Sequence, residues 1–154
     1  MRILGLDYGS KTVGVAVTDP LGLTVQGLET IERAQEKHLR RTFRRIGELI
    51  GHFGAEAVVL GLPLNMDDTE GDRALKTCVF REELRRRFGV PVIFVDERLT
   101  TVSAEEILEE SGVRKSDYKK YVDKIAAVLI LEDFMASYGK DLKEGRISLR
   151  DLEK

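Results

Sequence analysis

Three acidic residues occupy positions where a carboxylate is costly unless it has a task. Asp7 ends the apolar run 3–6 and precedes a glycine turn, Glu97 follows the apolar run 92–95, and Asp123 opens the most apolar predicted helix. A buried carboxylate is unfavourable unless it is paired, hydrogen-bonded or bound to a metal ion. Ligands bind at the carboxyl ends of parallel strands in open α/β sheets, so we expect all three acids at one such edge.

A cluster of carboxylates is suited to a hard divalent cation. Mg²⁺ and Mn²⁺ prefer oxygen ligands, and ions held in this way activate water and stabilise the leaving oxygen of a phosphodiester. With two histidines and one cysteine, Cys78, the chain offers no cluster typical of zinc. We therefore predict that Asp7, Glu97 and Asp123 are both the catalytic residues and the ligands of Mg²⁺ or Mn²⁺ in a nuclease.

Each acid also has a purely structural interpretation. Asp7 could accept hydrogen bonds within its own turn. Glu97 could pair with Arg98 or Arg114, and Asp123 could interact favourably with a helix N-terminus. For any one of these acids, the structural interpretation is favoured over a catalytic role. It is less favoured for all three together, because the three predicted positions converge on one sheet edge.

Segments beside the acids supply candidate substrate contacts. The segment 61–71 leaves a buried strand through glycine and proline, and the amide of Asn65 both donates and accepts. The alternative is an ordinary connection capped by Thr69. A threonine at a helix start binds a phosphate or merely caps the helix. The predicted substrate-binding residues are Lys11, Asn65, Arg98, Thr100 and Lys124.

The spacing of apolar residues predicts the elements that position these side chains. Strands are predicted over Arg2–Asp7, Val13–Thr18, Leu23–Ile31, Ala57–Leu60 and Val92–Val95. Helices are predicted over 39–53, Thr69–Phe88, Thr101–Ser111 and Val122–Tyr138. Short turns join the first three strands, whereas helices separate the later ones. This order predicts an α/β fold, in which a five-stranded mixed sheet of an antiparallel meander plus two parallel strands is flanked by helices.

Composition places the chain among ordinary globular domains. Its 154 residues, 42% hydrophobic and 34% charged, predict a single domain over residues 1–139, followed by a loose polar tail over 140–154. One cysteine is typical of a reducing compartment, and no segment is long and apolar enough to span a bilayer. We therefore expect a cytoplasmic protein without membrane association.

Charge is informative only in its distribution. The net charge of −2 gives no support for nucleic-acid binding, but basic residues crowd three segments. They are Lys37, Arg40, Arg41, Arg44 and Arg45; Arg85, Arg86 and Arg87; and Lys115, Lys119, Lys120 and Lys124. A carboxylate-centred nuclease needs such patches near phosphate. For any one patch, a solvated helix face is an equally good interpretation.

Four segments together resemble a known family. They are Leu6-Asp7-Tyr8-Gly9-Ser10-Lys11 with Gly14–Asp19, Gly61–Met66, Asp96–Thr101 and Val122–Ala127. In this order they resemble the YqgF family, described as a pre-16S rRNA nuclease and as Holliday-junction-resolvase-like. The resemblance implies an RNase H-like fold and a Mg²⁺- or Mn²⁺-dependent endonuclease that matures the 5′ end of small-subunit rRNA. It also implies that Asp7, Glu97 and Asp123 are the functional acids.

The chain departs from the family pattern in two places. Asp68 and Asp72 stand where family members often have glycine and proline. Nucleases of the wider superfamily usually take their second acid from the fourth strand, which here ends in Gly61-Leu62-Pro63. Glu97, from the fifth strand, must substitute, and the number of bound metal ions stays open.

Other functions fit some of these features. A Holliday junction resolvase would apply the same chemistry to branched DNA as a homodimer, whereas cleavage of precursor rRNA is open to a monomer or a homodimer. A nucleotide-binding phosphotransferase is a second class, because Asp7-Tyr8-Gly9 also resembles the phosphate-binding turn of actin-like ATPases. Those ATPases use two such domains, and this chain has room for one. A third class is a non-catalytic nucleic-acid-binding or transcription-associated module.

Overall fold

The structure, a computed structural model, describes residues 1–63, 71–97 and 100–153, without the side chains of residues 100–102, 119 and 120. Its strands are β1 (Ile3–Tyr8), β2 (Thr12–Thr18), β3 (Val25–Glu32), β4 (Ala57–Leu62) and β5 (Val92–Asp96). Its α-helices are α1 (Arg40–Phe53), α2 (Asp72–Phe88), α3 (Thr100–Glu110), α4 (Tyr118–Lys143) and α5 (Leu149–Leu152). A 3₁₀ turn over Lys115–Asp117 leads into α4.

The strands form one mixed sheet in the order β3-β2-β1-β4-β5. β2 pairs antiparallel with both β1 and β3, whereas β4 pairs parallel with both β1 and β5. This confirms the predicted sheet of an antiparallel meander plus two parallel strands. Because β1, β4 and β5 run in the same direction, their carboxyl ends meet at one edge.

Alternation along β1 sends its side chains to two separate cores. Leu4, Leu6 and Tyr8 join a core that α1 and α2 cover, while Ile3 joins a second core beneath α4. Gly5 also faces α4, since a Cβ there would lie 2.9 Å from Leu131 Cβ. The same parity places the Asp7 side chain on the α4 side of the sheet.

Several predicted boundaries differ from the structure, and two of these differences have an identifiable cause. β3 begins at Val25 rather than Leu23, because Asp19 Oδ1 accepts the backbone N–H groups of Leu23 and Thr24 and holds that segment in a turn. α4 extends to Tyr118 and Lys143, beyond the predicted 122–138. Apolar spacing detects only the part of the helix that packs on the sheet, whereas backbone hydrogen bonds continue past it.

The C-terminal segment is packed, which corrects the expectation of a loose tail from residue 140. Leu142, Leu149 and Leu152 contact the second core. The Glu153 carboxylate accepts the N–H of Val92 at 2.6 Å and lies 3.2 Å from Arg85 Nε. No sequence pattern indicated this packing, because charged residues separate the leucines.

Among the helices that the structure describes, none combines the length and the apolar composition needed to cross a bilayer.

We predict that Glu153→Ala destabilises the protein by about 1–3 kcal/mol, because it leaves the N–H of Val92 without its acceptor. Glu153→Gln keeps a carbonyl oxygen that can accept this hydrogen bond, so it should lose less stability than Glu153→Ala. Urea unfolding of both variants measures the difference. Wild-type stability in Glu153→Ala would show that this hydrogen bond contributes nothing.

We further predict that Gly14→Ala destabilises the fold by about 1–3 kcal/mol, since its Cβ would overlap the Asp123 backbone carbonyl and force α4 away from β2. Gly51→Ala is the matched control, because open space surrounds this glycine in α1. That control should be neutral or stabilising by about 1 kcal/mol. Equal unfolding midpoints for the two variants would contradict the close packing of α4.

Candidate active site

Asp7 lies at the carboxyl end of the central strand, buried beneath α4. It pairs with Gly14 across the β1–β2 ladder. Its carboxyl group is hydrogen-bonded to that of Glu97. The predicted convergence of these two acids on one sheet edge is therefore what the structure describes. Two carboxyls in hydrogen-bond contact must share a proton or a cation, since like charges at this distance repel.

Glu97 reaches Asp7 by extending across the strand between them. Its backbone N–H donates to Leu62 O at 3.2 Å, which ties it to the end of β4. A Cβ on Gly61 would overlap Glu97 Oε2, so the missing side chain at position 61 leaves the space that this carboxylate occupies. The glycine at the end of the fourth strand and the acid after the fifth strand are therefore linked, because the carboxylate of Glu97 fits only where position 61 has no side chain.

Asp123 is brought to the same edge by the close approach of α4. It lies in the second turn of this helix, rather than at its opening as predicted. The α4 backbone at Asp123 contacts the site of the missing Cβ of Gly14, which is the ladder partner of Asp7. Thr12 Oγ1 donates a hydrogen bond to Asp123 Oδ2. Thr12, which the sequence did not single out, therefore orients the third acid.

Burial dominates the electrostatics of this cluster. It raises the pKa of Asp7, with the charge of Asp123 adding to the rise, while the hydrogen bond from Glu97 and the charge of Arg73 oppose it. Burial and then the charge of Asp7 raise the pKa of the Glu97 carboxyl. Without a cation the pair therefore retains a proton well above the pH at which an exposed carboxyl loses it.

Arg73, in the first turn of α2, is a cation that sequence reasoning missed. Its positive charge lowers the pKa of both Asp7 and Glu97. Its guanidinium lies 4.7 Å from the centroid of the Tyr8 ring and forms an ion pair with Glu36. No pattern marked it, because a single arginine after a loop resembles any solvated helix residue.

The predicted substrate contacts have different outcomes. Lys11 is exposed beside the site, in the turn between β1 and β2. The ammonium of Lys124 lies 5.9 Å from the centroid of the Tyr121 ring, and its stem packs against Gly27. Thr100 begins α3, but its side chain is not described, and the other two predicted contacts, Asn65 and Arg98, lie outside the described residues. All five assignments stay predictions.

Ion pairs neutralise part of the predicted basic patches. Arg85, Arg86 and Arg87 each pair with an acid of α2, either Glu82 or Glu83. Arg45 pairs with Glu29 at 2.6 Å. Arg114 lies 3.4 Å from Asp117, so the pairing considered for Arg114 with Glu97 is not the one found. For these arginines the interpretation as a solvated, ion-paired surface is correct.

The three carboxylates fit a hard cation in their chemistry, although they are not all arranged around one metal position. Within the described part of the chain, no group of three or more His, Cys, Asp or Glu side chains is already arranged around one metal position. Asp7 and Glu97 are in direct contact, whereas Asp123 is held by Thr12. All ligands would be oxygen atoms, and a cation would relieve the repulsion that now retains a proton. Asp7 and Glu97 would hold the ion, with Asp123 as the third donor.

Sequence comparison relates nearly the whole chain to one group of bacterial proteins. The family model described as "RuvX: Holliday junction resolvase" matches residues 1–137. A protein of Lachnospira eligens is 51% identical over 140 residues, which cover 91% of this chain and 100% of the relative. A protein of Listeria monocytogenes is 48% identical over 135 residues, covering 88% and 97% respectively. Both relatives carry the name "Putative pre-16S rRNA nuclease".

Solved structures show the same architecture at low identity. RuvC of Thermus thermophilus in complex with a Holliday junction substrate matches with a TM-score of 0.52 and 18% identity, over 90% of this chain and 97% of RuvC. The Fowlpox virus resolvase in complex with Holliday junction DNA matches with a TM-score of 0.55 and 15% identity, over 89% and 98%. These matches confirm the RNase H-like fold.

We predict that Glu97→Gln is more stable than the wild type by about 1 kcal/mol at pH 8 in EDTA, since at this pH the folded wild type must keep a proton on the Glu97 carboxyl that the unfolded chain releases, whereas glutamine carries no such proton. Because the pKa of the Glu97 carboxyl is raised on folding, the native state binds more protons than the unfolded chain above the ordinary value of 4.5. Wild-type stability therefore falls as the pH rises above that value, and the variant should show a weaker fall.

Urea unfolding from pH 5 to pH 8 measures this dependence. Glu110→Gln is the control, since Glu110 is exposed at the end of α3. A Glu97→Gln variant that loses stability with rising pH as steeply as the wild type would contradict the buried pair as the origin of the effect.

Proposed function

The chain belongs to the RuvX family, and from this membership and the carboxylate site we propose that it is a metal-dependent endonuclease that processes the 5′ end of pre-16S rRNA. The observation that carries the proposal is the direct contact of Asp7 with Glu97 at an edge that Asp123 also reaches. Two buried acids kept in contact have no structural use that neutral side chains would not serve better, whereas a hard cation requires them.

We propose Mg²⁺ or Mn²⁺ as the cofactor. When bound, such an ion supplies an activated water and neutralises charge on the scissile phosphate. Asp7 and Glu97 would hold the ion and give up the proton that they share without it. Thr12 keeps the Asp123 carboxylate oriented toward the edge. Arg73 contributes positive charge from the opposite side, which favours an anionic substrate beside three acids.

Several observations support RNA as the substrate. Relatives that are about half identical over nearly their full length carry a name referring to pre-16S rRNA. The RuvC and Fowlpox virus resolvases, which share only the fold, are the ones bound to Holliday junctions. Cutting one rRNA strand requires a single site, so a monomer is sufficient, and a homodimer is compatible. A cytoplasmic location agrees with the single cysteine.

A Holliday junction resolvase is the second candidate, which the description of the family favours. Its reaction would use the same carboxylates on DNA. Symmetrical cutting of two strands requires two sites related by a two-fold axis, and therefore a homodimer.

We predict that the wild type cleaves a precursor RNA spanning the 5′ end of 16S rRNA in Mn²⁺. Asp7→Asn, Glu97→Gln and Asp123→Asn should each lose about a hundredfold or more in rate, because each removes a ligand or a proton acceptor from the reaction. Mn²⁺ should also raise the Tm of the wild type by mass action, and raise it less in Asp7→Asn. Gel analysis of end-labelled RNA and thermal unfolding provide the two measurements.

Glu110→Gln serves again as the control and should cleave like the wild type. Variants of the three acids that retain wild-type rates would overturn the carboxylate assignment. Symmetrical nicking of four-way junctions without cleavage of precursor RNA would establish the DNA alternative. RNA binding without cleavage in either metal would instead indicate a non-catalytic module.

A further inference from the structure

A basic groove lies between the end of β3 and the first turns of α1. It has a volume of about 720 Å³, within the range of clefts that bind small molecules. Four exposed cations line it, namely Lys37, Arg40, Arg41 and Arg44. Arg33 also lines it, and Glu32 contributes an acid. We call this surface the basic groove.

The four exposed cations of the basic groove differ from the other arginine clusters. Their side chains form no hydrogen bond or ion pair with the described part of the chain, whereas Arg86 and Arg87 both pair with Glu83. Like charges crowded without counterions repel one another and destabilise the fold. Their presence in one groove is therefore better explained by an anionic ligand than by a contribution to folding.

The N-terminus of α1 also favours the binding of an anion. The N-cap residue Leu39 provides no side-chain hydrogen bond, and the first turn of the helix contains no acid. Arg40 and Arg41 instead place positive charge at the positive end of the helix dipole, which is unfavourable unless an anion binds there. The backbone and the side chains at this helix start thus favour the same kind of ligand.

Arg33 adds a largely buried positive charge to the wall of the basic groove. Its side chain is 9% exposed, and its Nη1 has no hydrogen-bond partner among the described residues. The other two nitrogens are satisfied, because Nη2 donates to Gly9 O at 2.6 Å and Nε donates to Glu36 O at 3.0 Å. Arg33 thus places a largely buried guanidinium at the wall of the basic groove, where its positive charge favours an anionic ligand.

A row of contacts joins the basic groove to the carboxylates. The Arg33 guanidinium lies 5.0 Å from the centroid of the Tyr8 ring, and the Arg73 guanidinium lies 4.7 Å from the same centroid. Tyr8 directly follows Asp7 in β1. Cationic side chains therefore continue from the groove, past Tyr8, to the edge where Asp7 and Glu97 meet, with Glu36 neutralising part of the charge of Arg73.

We propose that the basic groove binds the phosphodiester backbone of the RNA substrate on one flank of the scissile phosphate. This inference rests on the proposed function in one respect, namely that the substrate is a nucleic acid. The concave shape and the continuity with the carboxylate edge favour a strand that passes through both places. The groove meets phosphate rather than bases, so it contributes affinity and position rather than base specificity.

The test compares Arg40→Gln/Arg44→Gln with the control Arg86→Gln/Arg146→Gln. Each double variant removes two exposed arginines, but Arg86 and Arg146 are neutralised by ion pairs with Glu83 and Glu144. Binding of a labelled precursor RNA in EDTA is measured by fluorescence anisotropy at several KCl concentrations. The groove variant should bind more weakly, and the slope of log K against log salt should be less steep by about 1.4. Each arginine that neutralises one phosphate of a single strand contributes about 0.7 to this slope, and the variant lacks two such arginines. The control should keep the wild-type slope.

Two further measurements locate the RNA on the protein. In Mn²⁺ the groove variant should raise KM about tenfold or more and leave kcat nearly unchanged, because the groove does not touch the reacting atoms. Shortening the RNA on one side of the cut should weaken wild-type binding but not binding by the groove variant. The same shortening should weaken the control as it weakens the wild type.

The outcomes separate this proposal from the proposed function. A groove variant with wild-type affinity and salt slope overturns the basic groove as an RNA site and leaves it to another anionic partner, such as an acidic protein surface. That result holds whether or not the enzyme cuts RNA. Conversely, a wild type that binds RNA through the groove but does not cleave it in Mn²⁺ supports the groove and contradicts the proposed nuclease activity.

Discussion

The contact between the α4 backbone and Gly14 of β2 is the constraint on which the active edge depends. It removes the space in which a side chain would otherwise separate helix from sheet, and so places Asp123 beside the ladder partner of Asp7. Gly5 permits the same close approach farther along the helix. The second core beneath α4 fixes the helix in this position, so the arrangement of the acids is a consequence of packing rather than of any attraction between them.

A similar complementarity explains why the second acid belongs to the fifth strand. The order β1-β4-β5 puts a whole strand between Asp7 and Glu97, and a side chain on that strand would block their contact. Gly61 leaves the path open. The Glu97 carboxylate therefore occupies the space that a side chain at position 61 of the fourth strand would take.

The two faces of the sheet carry opposite charge at this edge. The carboxylates lie on the α4 face, where burial and mutual repulsion raise the pKa of Asp7 and Glu97. Arg33 and Arg73 lie around Tyr8, whose ring belongs to the other core and stacks on Phe80 with a centroid separation of 4.0 Å. Under the proposed function, a polyanionic strand would meet cations on one side of the edge and the metal-binding acids on the other, which reconciles a net charge of −2 with nucleic-acid binding.

Local pattern in the sequence determined the sheet, its helices and the expectation that Asp7 and Glu97 share an edge, because strand and helix periods are written into neighbouring residues. Only the tertiary structure decided which groups complete the site. Thr12 and Asp123 are 111 residues apart, and Glu36 and Arg73 are 37 apart, so no period in the chain links them. The packing of Leu149 and Leu152 and the neutralisation of Arg85–Arg87 were likewise hidden. Whether a leucine is buried or an arginine ion-paired depends on elements that meet only when the chain has folded.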